Sequence, residues 1–348
     1  MNFFANENKD EIKIPPVGLV NFSRVGLKIK NKSYKHLIIY NSCYMNASIQ
    51  CLIHLDEFVR QILKCDKGDL TEATKNLIYY MKNNKNKNRY CSVIEIKQVM
   101  GKKFEQYKGD EQRDANEFIT NYLNVLTEET KDSGEKIWSC VDSDKEYFDK
   151  FYGKYIKRKG RSLFLEIFYG LERTEEYCKS CSYIFSIKFN PFNILEIPLK
   201  KEIYSKKSLK VMDLLKDYIS ERNNPNEICS KCKKRIKYKT SFNSLPKCLI
   251  INFLRDYTDD IQNKIDIPLS LNLNEFLYDK SQNNHNNNYY HLKGIIFYQN
   301  NDINKGHYKA TCLVNNENWY YFDDHLFDVD HQMPNYEYEN PTFLFYEK

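Results

Sequence analysis

Apolar residues recur at helical spacing in the first part of the chain. After Cys43 they follow one another every few positions: Ile49, Leu52, Ile53, Leu55, Val59, Ile62 and Leu63. A similar period runs through residues 71–82 and 115–126. Because this period gathers apolar side chains on one face of a helix, we predict a helix in each of these three segments.

Strand patterns dominate the chain after residue 168. The strands that we predict from alternating or continuous apolar positions cover residues 168–195, 245–255, 290–298, 307–314, 319–322 and 341–346. The segment 245–255 is an apolar, β-branched run of the kind typical of a buried strand. A short helix at 211–219 and a turn at 223–226 interrupt the strands.

The composition limits the class of protein. The 348 residues suffice for one large domain or two ordinary ones, and 41% hydrophobic with 15% aromatic residues exclude a largely disordered chain. A net charge of +6 is too small to indicate a nucleic-acid partner. No stretch has the length and polarity of a membrane span, and we expect residues 1–14 to form a short unstructured extension without a signal peptide. Eleven cysteines without an export signal predict a reducing compartment, the cytoplasm or the nucleus.

Cys43 is the candidate nucleophile. The small polar residues at 41 and 42 are plausible helix caps, which would place Cys43 in the first helical turn. Unpaired N–H groups and the helix dipole favour an anionic thiolate there. A cysteine beside an apolar helix is more often a core residue, so catalysis also needs a base. His307, followed by Asp323 and Asp324, offers a base and an acid in a workable triad order.

Four cysteines have the spacing of a metal site. Cys178 and Cys181 form one CxxC pair, Cys229 and Cys232 form a second, and 47 residues (229 − 181 − 1) separate them. Two such pairs can complete a tetrahedral site of four thiolates for Zn²⁺, which would be structural because no position stays open for water. A disulfide or redox role is the weaker alternative in an intracellular chain.

Two charged segments have simple structural interpretations. Asp114 and Glu117 lie at the start of a predicted helix, where the helix dipole favours acidic residues. The basic run at 231–239 is best explained as a solvated surface, although a nuclear signal or an RNA contact is the alternative.

Several of these blocks together resemble the ubiquitin-specific proteases, papain-like cysteine hydrolases that remove ubiquitin. The residues that carry the resemblance are 18–22 joined to 40–52, 109–119, the two CxxC pairs, 245–255 and 306–324. The resemblance implies an α+β papain-like fold in a single catalytic domain over residues 15–348. Its parts would be a thumb at about 15–135, zinc-bearing fingers at about 165–245 and a palm formed by the remainder.

The resemblance also implies residue roles. Cys43 would be the nucleophile, His307 the base and Asp323 the acid that orients the imidazole, with Asp324 in support. The family uses the acids that correspond to Asp114 and Glu117 to hold the arginine-containing tail of ubiquitin. The implied partner is ubiquitin or a ubiquitinated protein, the implied cofactor is structural Zn²⁺ on the four cysteines, and we expect a monomer that binds neither nucleic acid nor membrane.

The chain departs from the family pattern at three places. Seventeen residues, 23–39 (39 − 23 + 1), interrupt the cysteine block and are either a surface loop or a retained segment of the gene. With this segment looped out, the oxyanion donor of the family corresponds to Asn21, and Asn41 is the fallback donor. Arg113 replaces a glutamine of the acidic block, and Tyr298 stands where the family usually has a histidine.

Four functions remain open from the sequence. The chain is a deubiquitinase, a catalytically silent ubiquitin-binding scaffold of the same fold, or a protease for another ubiquitin-like modifier. A zinc-dependent nucleic-acid or partner-binding module would account for the CxxC pairs and the basic run without using Cys43.

Overall fold

The first part of the protein is mainly helical, as expected. The computed structural model describes residues 13–21, 41–83, 90–132, 138–199, 208–255, 264–279, 288–300, 306–330 and 340–348. The elements up to residue 168 are β1 (Gly18–Leu19), α1 (Cys43–Ile53), α2 (Asp56–Lys64), α3 (Asp69–Asn83), β2 (Tyr90–Cys91), α4 (Ile94–Lys103), α5 (Ala115–Glu129), β3 (Lys131–Asp132), α6 (Lys145–Lys159), β4 (Arg161–Ser162) and α7 (Leu163–Phe168). The helices predicted at 71–82 and 115–126 are confirmed as α3 and α5.

The segment after Cys43 forms two helices rather than one. His54 and Leu55 separate α1 from α2, and Cys43 is the first residue of α1, as predicted. The capping prediction was wrong, because Ser42 occupies the N-cap position without a side-chain hydrogen bond to the helix. Asn41 has a φ of 49° and donates its side-chain amide to the carbonyl of Asp110 at 2.8 Å. Asn41 therefore ties the entering chain to a neighbouring segment instead of capping the helix.

A second, smaller sheet follows the helical part. The elements between residues 170 and 244 are β5 (Gly170–Tyr177), β6 (Ile184–Phe192), β7 (Leu195–Pro198), β8 (Ser208–Lys210), α8 (Val211–Tyr218), β9 (Arg222–Ile228) and β10 (Arg235–Ser244). Four of these strands form one sheet in the order β6-β5-β10-β9. The turn predicted at 223–226 was wrong, since these residues belong to β9. As an edge strand, β9 accommodates Pro225, which lacks an N–H, because one side of the strand needs no partner.

The last part of the chain builds a central sheet. Its elements are β11 (Cys248–Leu254), β12 (Lys264–Asp266), β13 (Ser270–Asn272), β14 (Tyr289–Asn300), β15 (Gly306–Val314), β16 (Asn318–Asp323), β17 (Leu326–Asp330) and β18 (Asn340–Glu347). The strand order is β17-β16-β15-β14-β18-β11-β7, with β13 beside β14. Only the β11–β7 pair in this sheet, within the described ranges, is parallel. The predicted α+β class is confirmed.

The central sheet separates two hydrophobic cores. In β11, Cys248 and Ile250 pack into the core that contains α1. Leu249, Ile251 and Phe253 pack into the core on the other face. Successive side chains of a strand point to opposite faces, so burial on both faces requires apolar residues at every position. This explains the apolar run from Cys248 to Ile251.

The N-terminal segment is partly integrated into the fold. Ile14 is buried in the core that contains α1, and its backbone N–H donates to Asn315 Oδ1 at 3.0 Å. The predicted unstructured extension therefore does not include Ile14, while residues 1–12 and the predicted insert at 23–39 lie outside the described residues. Among the helices that the structure describes, none has the length and apolar character needed to cross a membrane.

A buried ion pair joins the smaller sheet to the helical part. Arg173 of β5 contacts Asp144, and both side chains are almost fully buried, at 3% and 2% exposure. Arg173 also contacts Glu175 at 2.6 Å and lies 3.7 Å above the ring of Tyr278. This pair fixes how the sheet sits against the segment that leads into α6.

Replacement of Asp144 tests the contribution of the Arg173–Asp144 ion pair to stability. We expect Asp144→Ala to lower the free energy of unfolding by about 3 kcal/mol, because the guanidinium of Arg173 stays buried without its main partner. Exposed Asp142 is the matched control, and Asp142→Ala should change stability by less than about 0.5 kcal/mol. Urea unfolding followed by fluorescence measures both, and equal effects of the two substitutions would contradict the assignment.

Candidate active site

Helix α1 packs tightly against the central sheet. Every residue of α1 is buried. The sulfur atoms of Cys51 in α1 and Cys312 in β15 lie 3.7 Å apart. Gly294 of β14 permits this approach, because a Cβ added there would lie 3.0 Å from the Cys51 sulfur. Cys43 at the start of α1 and Gly306 at the start of β15 line the same cleft.

The cleft lies between the start of α1, the start of α5 and the neighbouring ends of β14 and β15. It encloses about 410 Å³ and is lined by Cys43, Gln112, Arg113, Asp114, Glu117, Tyr298, Gly306 and Tyr308. Cys43 is only 3% exposed. The predicted nucleophile therefore lies at the base of this cleft, with the two predicted acids on its rim.

The predicted base and its acid are brought together by strand pairing. In the register of β15 with β16, Ala310 lies opposite Phe322, which places Asp323 diagonally across from His307. His307 Nε2 lies 2.7 Å from Asp323 Oδ1, and Lys309 Nζ lies 3.8 Å from the other carboxylate oxygen. With the Nε2–H donating to the carboxylate, the neutral imidazole carries its lone pair on Nδ1. That nitrogen is the one suited to accept a proton.

The side chain of Asp324 is hydrogen-bonded to residues that are distant in the sequence. Its side chain is buried and accepts hydrogen bonds from Asn21 Nδ2 at 3.0 Å and Asn46 Nδ2 at 2.8 Å. Ligand atoms of His307, Asp323 and Asp324 lie within 4.8 Å of one another. Burial raises the pKa of Asp324 above its usual value, and the hydrogen bonds from the two amides oppose that rise. Asn21 is thus held near the triad, whereas the fallback donor Asn41 gives its amide to Asp110.

Asn46 is a site residue that the sequence reasoning missed. Besides Asp324, its amide lies 3.1 Å from the carbonyl of Leu19. The signal that would have identified it is its position three residues after Cys43, since residues i and i+3 of a helix are neighbours on its surface. Asn46 therefore connects the start of α1 to both the N-terminal strand and the Asp324 turn.

Asp114 and Glu117 lie at the start of α5, as predicted. Asp114 caps α5, with its Oδ1 accepting from the backbone N–H groups of Asn116 at 2.8 Å and Glu117 at 3.0 Å. Its second oxygen faces the Tyr308 hydroxyl at 3.4 Å. Both acids are exposed on the rim of the cleft. Asp114 is thus the N-cap of α5, and both acids present negative charge to the cleft.

The four CxxC cysteines meet at one end of the smaller sheet. Each pair forms the turn of a hairpin, and the antiparallel register Lys237↔Tyr177 puts both turns at the same end. The Cys178 and Cys232 sulfurs lie 3.3 Å apart, and those of Cys181 and Cys229 lie 3.6 Å apart. Thiolates on one tetrahedral zinc ion would lie about 3.8 Å apart. The group can therefore hold a metal ion.

None of the eleven cysteines, all of which lie in the described ranges, forms a disulfide. The only hydrophobic cluster near the CxxC pairs, within the described residues, contains Cys178, Cys229 and Ile236 as its buried members. So small a core gives this end of the sheet little apolar stabilisation, which is the situation in which domains rely on a bound metal.

Comparisons with known proteins identify related sequences. A sequence profile of the ubiquitin carboxyl-terminal hydrolase family matches residues 38–346. Human ubiquitin carboxyl-terminal hydrolase 32 is 27% identical over 62% of this chain and 14% of its own length. Usp2 of Drosophila melanogaster is 26% identical over 89% of this chain and 34% of its own length, and rat hydrolase 2 is 26% identical over 82% and 49%. The chain thus spans less than half the length of these relatives.

Solved structures share the fold. The Ubp8 module bound to monoubiquitin matches with a TM-score of 0.69 at 18% identity, covering 99% of this chain and 71% of that one. The Ubp8 module bound to ubiquitin aldehyde matches with a TM-score of 0.67 at 19% identity, covering 88% and 67%. At these identities the likeness concerns the fold.

The hydrogen bond from Asn46 to Asp324 generates a pH-dependent prediction. We expect Asn46→Ala to lower the free energy of unfolding by about 2 kcal/mol at pH 7.5, because a buried carboxylate loses a donor. A carboxyl group whose pKa is raised by folding adds stability at low pH that is lost as the pH rises through the folded pKa. The substitution raises the Asp324 pKa further, so the deficit should be small below about pH 4 and grow toward pH 7.5.

The control for this experiment is the same substitution in an Asp324→Asn background. There the pH-dependent part of the deficit should disappear, because position 324 no longer titrates. Urea midpoints at several pH values measure both backgrounds. A deficit independent of pH in the single variant would show that Asn46 does not act through the Asp324 carboxylate.

Proposed function

The chain belongs to the ubiquitin carboxyl-terminal hydrolase family, and on that premise we propose that it is a cysteine-dependent deubiquitinase. The proposed reaction is hydrolysis of the peptide or isopeptide bond that follows the C-terminal glycine of ubiquitin. One observation supports the proposal: Gly306, the neighbour of His307, lines the same cleft as Cys43, and Asp324, which lies beside the His307–Asp323 pair, is hydrogen-bonded to Asn46 of α1.

The proposed mechanism uses two half-reactions. The Cys43 thiolate attacks the carbonyl carbon of the terminal glycine, and His307 protonates the leaving lysine amine as the C–N bond breaks. A water molecule then gives a proton to His307 and attacks the thioester, which releases the ubiquitin carboxylate and regenerates the thiolate. Asp323 holds the imidazole in the tautomer that leaves Nδ1 as the base.

Asn21 is the proposed side-chain donor to the oxyanion. Its amide is buried and already oriented by Asp324, so little reorganisation is needed when charge develops on the substrate oxygen. The backbone N–H groups at the start of α1 would be the second source of donors. Removal of one such donor typically costs about 100- to 1000-fold in turnover.

Asp114 and Glu117 are the proposed binding site for the arginine-containing tail of ubiquitin. Both lie on the rim of the Cys43 cleft, where a cationic side chain would meet two carboxylates before the tail reaches the sulfur. The solved Ubp8 modules bound to monoubiquitin and to ubiquitin aldehyde support ubiquitin as the ligand of this shared fold. We propose a monomer that works in the cytoplasm or nucleus, with the thumb, fingers and palm divided near residues 135, 165 and 245.

Zn²⁺ is the metal that we propose for the four-cysteine site. Four soft sulfur ligands with this spacing suit zinc, and a closed set of thiolates has no catalytic position. Its role would be to fix the far end of the smaller sheet, where the core is minimal.

A ubiquitin derivative with a C-terminal electrophile tests the proposed function. We expect the chain to be captured covalently, capture to be lost in Cys43→Ala, and His307→Ala to slow it at least about 100-fold, because the thiol then lacks its base. Cys140→Ala is the matched control, since Cys140 is partly exposed and outside the cleft, and it should leave capture unchanged. Mass spectrometry of the intact adducts measures all four proteins.

The same experiment separates the rival functions. Reversible ubiquitin binding without capture would support the silent scaffold. Capture only by another ubiquitin-like modifier would show that this modifier, and not ubiquitin, is the substrate. Salt-sensitive binding of nucleic acid with no ubiquitin binding would instead favour the zinc-dependent module.

Metal analysis tests the zinc proposal. Protein purified without chelators should contain about one zinc ion per chain, since two CxxC pairs form one site of four sulfurs. Cys178→Ser and Cys229→Ser should lose most of the metal and unfold at lower temperature, whereas Cys43→Ala should keep it. Plasma emission spectrometry gives the metal content, and zinc retention in both serine variants would refute the assignment.

A further inference from the structure

Gln50 of α1 is a buried amide on the same face of the helix as Asn46. The two residues are four positions apart, which is the spacing that places side chains on one face of a helix. Gln50 donates to the carbonyl of Val17 at 2.7 Å, and Asn46 donates to the carbonyl of Leu19 at 3.1 Å. Two amides of one helix face therefore bind two alternate carbonyls of the segment 17–21.

The spacing of these two donors matches the spacing of their acceptors. Four residues of an α-helix rise about 6.0 Å, and two residues of a strand advance about 6.6 Å. Neighbouring residues of a strand face opposite ways, so a shift of the segment 17–21 by one residue would turn both carbonyls away from the amides. Asn46 and Gln50 together thus select one register of this segment against α1.

That register is also the one that holds Asn21. The Leu19 N–H donates to the carbonyl of Asp324 at 2.8 Å, and a Cβ added to Gly18 would lie 2.2 Å from the carbonyl oxygen of His325. Asn21 lies two residues beyond Leu19 and donates to the Asp324 carboxylate at 3.0 Å. Because the backbone fixes the distance from residue 17 to residue 21, a shifted segment would withdraw Asn21 from Asp324.

The connection between Asn21 and Cys43 does not supply this register. It contains 21 residues (43 − 21 − 1). A connection of that length does not, by its length alone, set the distance between its two ends. The position of Asn21 relative to the sulfur must therefore come from contacts between the segment 17–21 and the rest of the fold.

The amide of Gln50 is better suited to selecting a register than to adding stability. Gln50 is 1% exposed, and its Oε1 has no hydrogen-bond partner among the residues that the structure describes. A buried amide with an unpaired oxygen contributes little net stability, because the desolvation cost of that atom offsets the one bond. Gln50 also lies about two helical turns from Cys43 and is not part of the cleft lining. Its influence on the site therefore passes through the segment 17–21.

We propose that Gln50 is a positioning residue for the reaction: through the Val17 carbonyl it fixes the register of the segment 17–21 and so holds Asn21 where it can donate to the oxyanion. The inference rests on the proposed deubiquitinase function and deepens it by naming what sets the position of the oxyanion donor.

A double-mutant cycle with Asn21 tests this assignment on ubiquitin that carries a fluorogenic amide at its C-terminus. Gln50→Met keeps the length of the side chain but removes the amide. It should lower kcat at least about tenfold and change KM less than about twofold, because a displaced oxyanion donor is lost chiefly in the transition state. In an Asn21→Ala background the same substitution should change kcat less than about twofold, since the donor that Gln50 positions is already absent. Gln50→Asn, which keeps an amide on a shorter side chain, should restore part of the lost turnover.

Ser48→Ala is the matched control. Ser48 is buried in the same helix, but its hydroxyl donates to the carbonyl of Tyr44 within α1 at 2.6 Å. The substitution should leave kcat unchanged with and without Asn21. Ubiquitin binding to Cys43→Ala and Cys43→Ala/Gln50→Met proteins is compared by fluorescence polarisation, which needs no turnover, and the two affinities should be equal.

Three results would overturn the inference. The first is an equal loss of kcat from Gln50→Met with and without Asn21, and the second is a change confined to KM. The third is loss of ubiquitin binding in the Cys43→Ala/Gln50→Met protein, which would show that Gln50 maintains the fold as a whole. Absence of turnover and of capture by the unsubstituted chain would instead refute the proposed function, and this inference with it.

Discussion

The complete burial of α1 is the constraint on which the site depends. A helix buried on all sides can pair its polar side chains only with groups inside the protein, and an unpaired buried polar group is costly. Gln50 donates to the carbonyl of Val17 at 2.7 Å, and Asn46 donates to the carbonyl of Leu19. These hydrogen bonds hold the N-terminal strand against α1. They fix the strand and the helix relative to each other beside the cleft.

The residues on either side of the segment 22–40 are held by partners distant in the sequence. Asn21 and Asn41 flank residues 22–40, and each is held by a partner far away in sequence: Asn21 by Asp324, and Asn41 by the carbonyl of Asp110. The position of Asn21 relative to Cys43 thus follows from α1 and the Asp324 turn. A long segment between these two asparagines does not by itself remove the proposed oxyanion donor.

The features that could be predicted from sequence are those fixed by local spacing. The CxxC pairs, the helix start at Cys43 and the strand that carries His307 all follow from residues close together in the chain. The break at His54 could not be predicted, because apolar spacing continues across it, whereas the N–H groups that start α2 donate to Glu347 of β18, far along the chain. Residues 223–226 have turn composition, yet they lie within the edge strand β9, which pairs with β10 at Arg222, Asn223 and Ile228 and has an irregular register between them. The contacts of Asn46 were hidden for the same reason, since their partners lie at the two ends of the chain.

The adjacent acids Asp323 and Asp324 contact different groups because the backbone turns between them. Asp323 ends a strand and faces His307, whereas Asp324 has a φ of 56°, in the left-handed region that few side chains adopt. This change of backbone direction points the Asp324 carboxylate inward to Asn21 and Asn46, while the Asp323 carboxylate contacts the imidazole. Glycine would adopt the angle more easily but would supply no carboxylate, whereas aspartate tolerates it better than most residues. The strained turn is therefore what allows one strand end to orient both the proposed base and the proposed oxyanion donor.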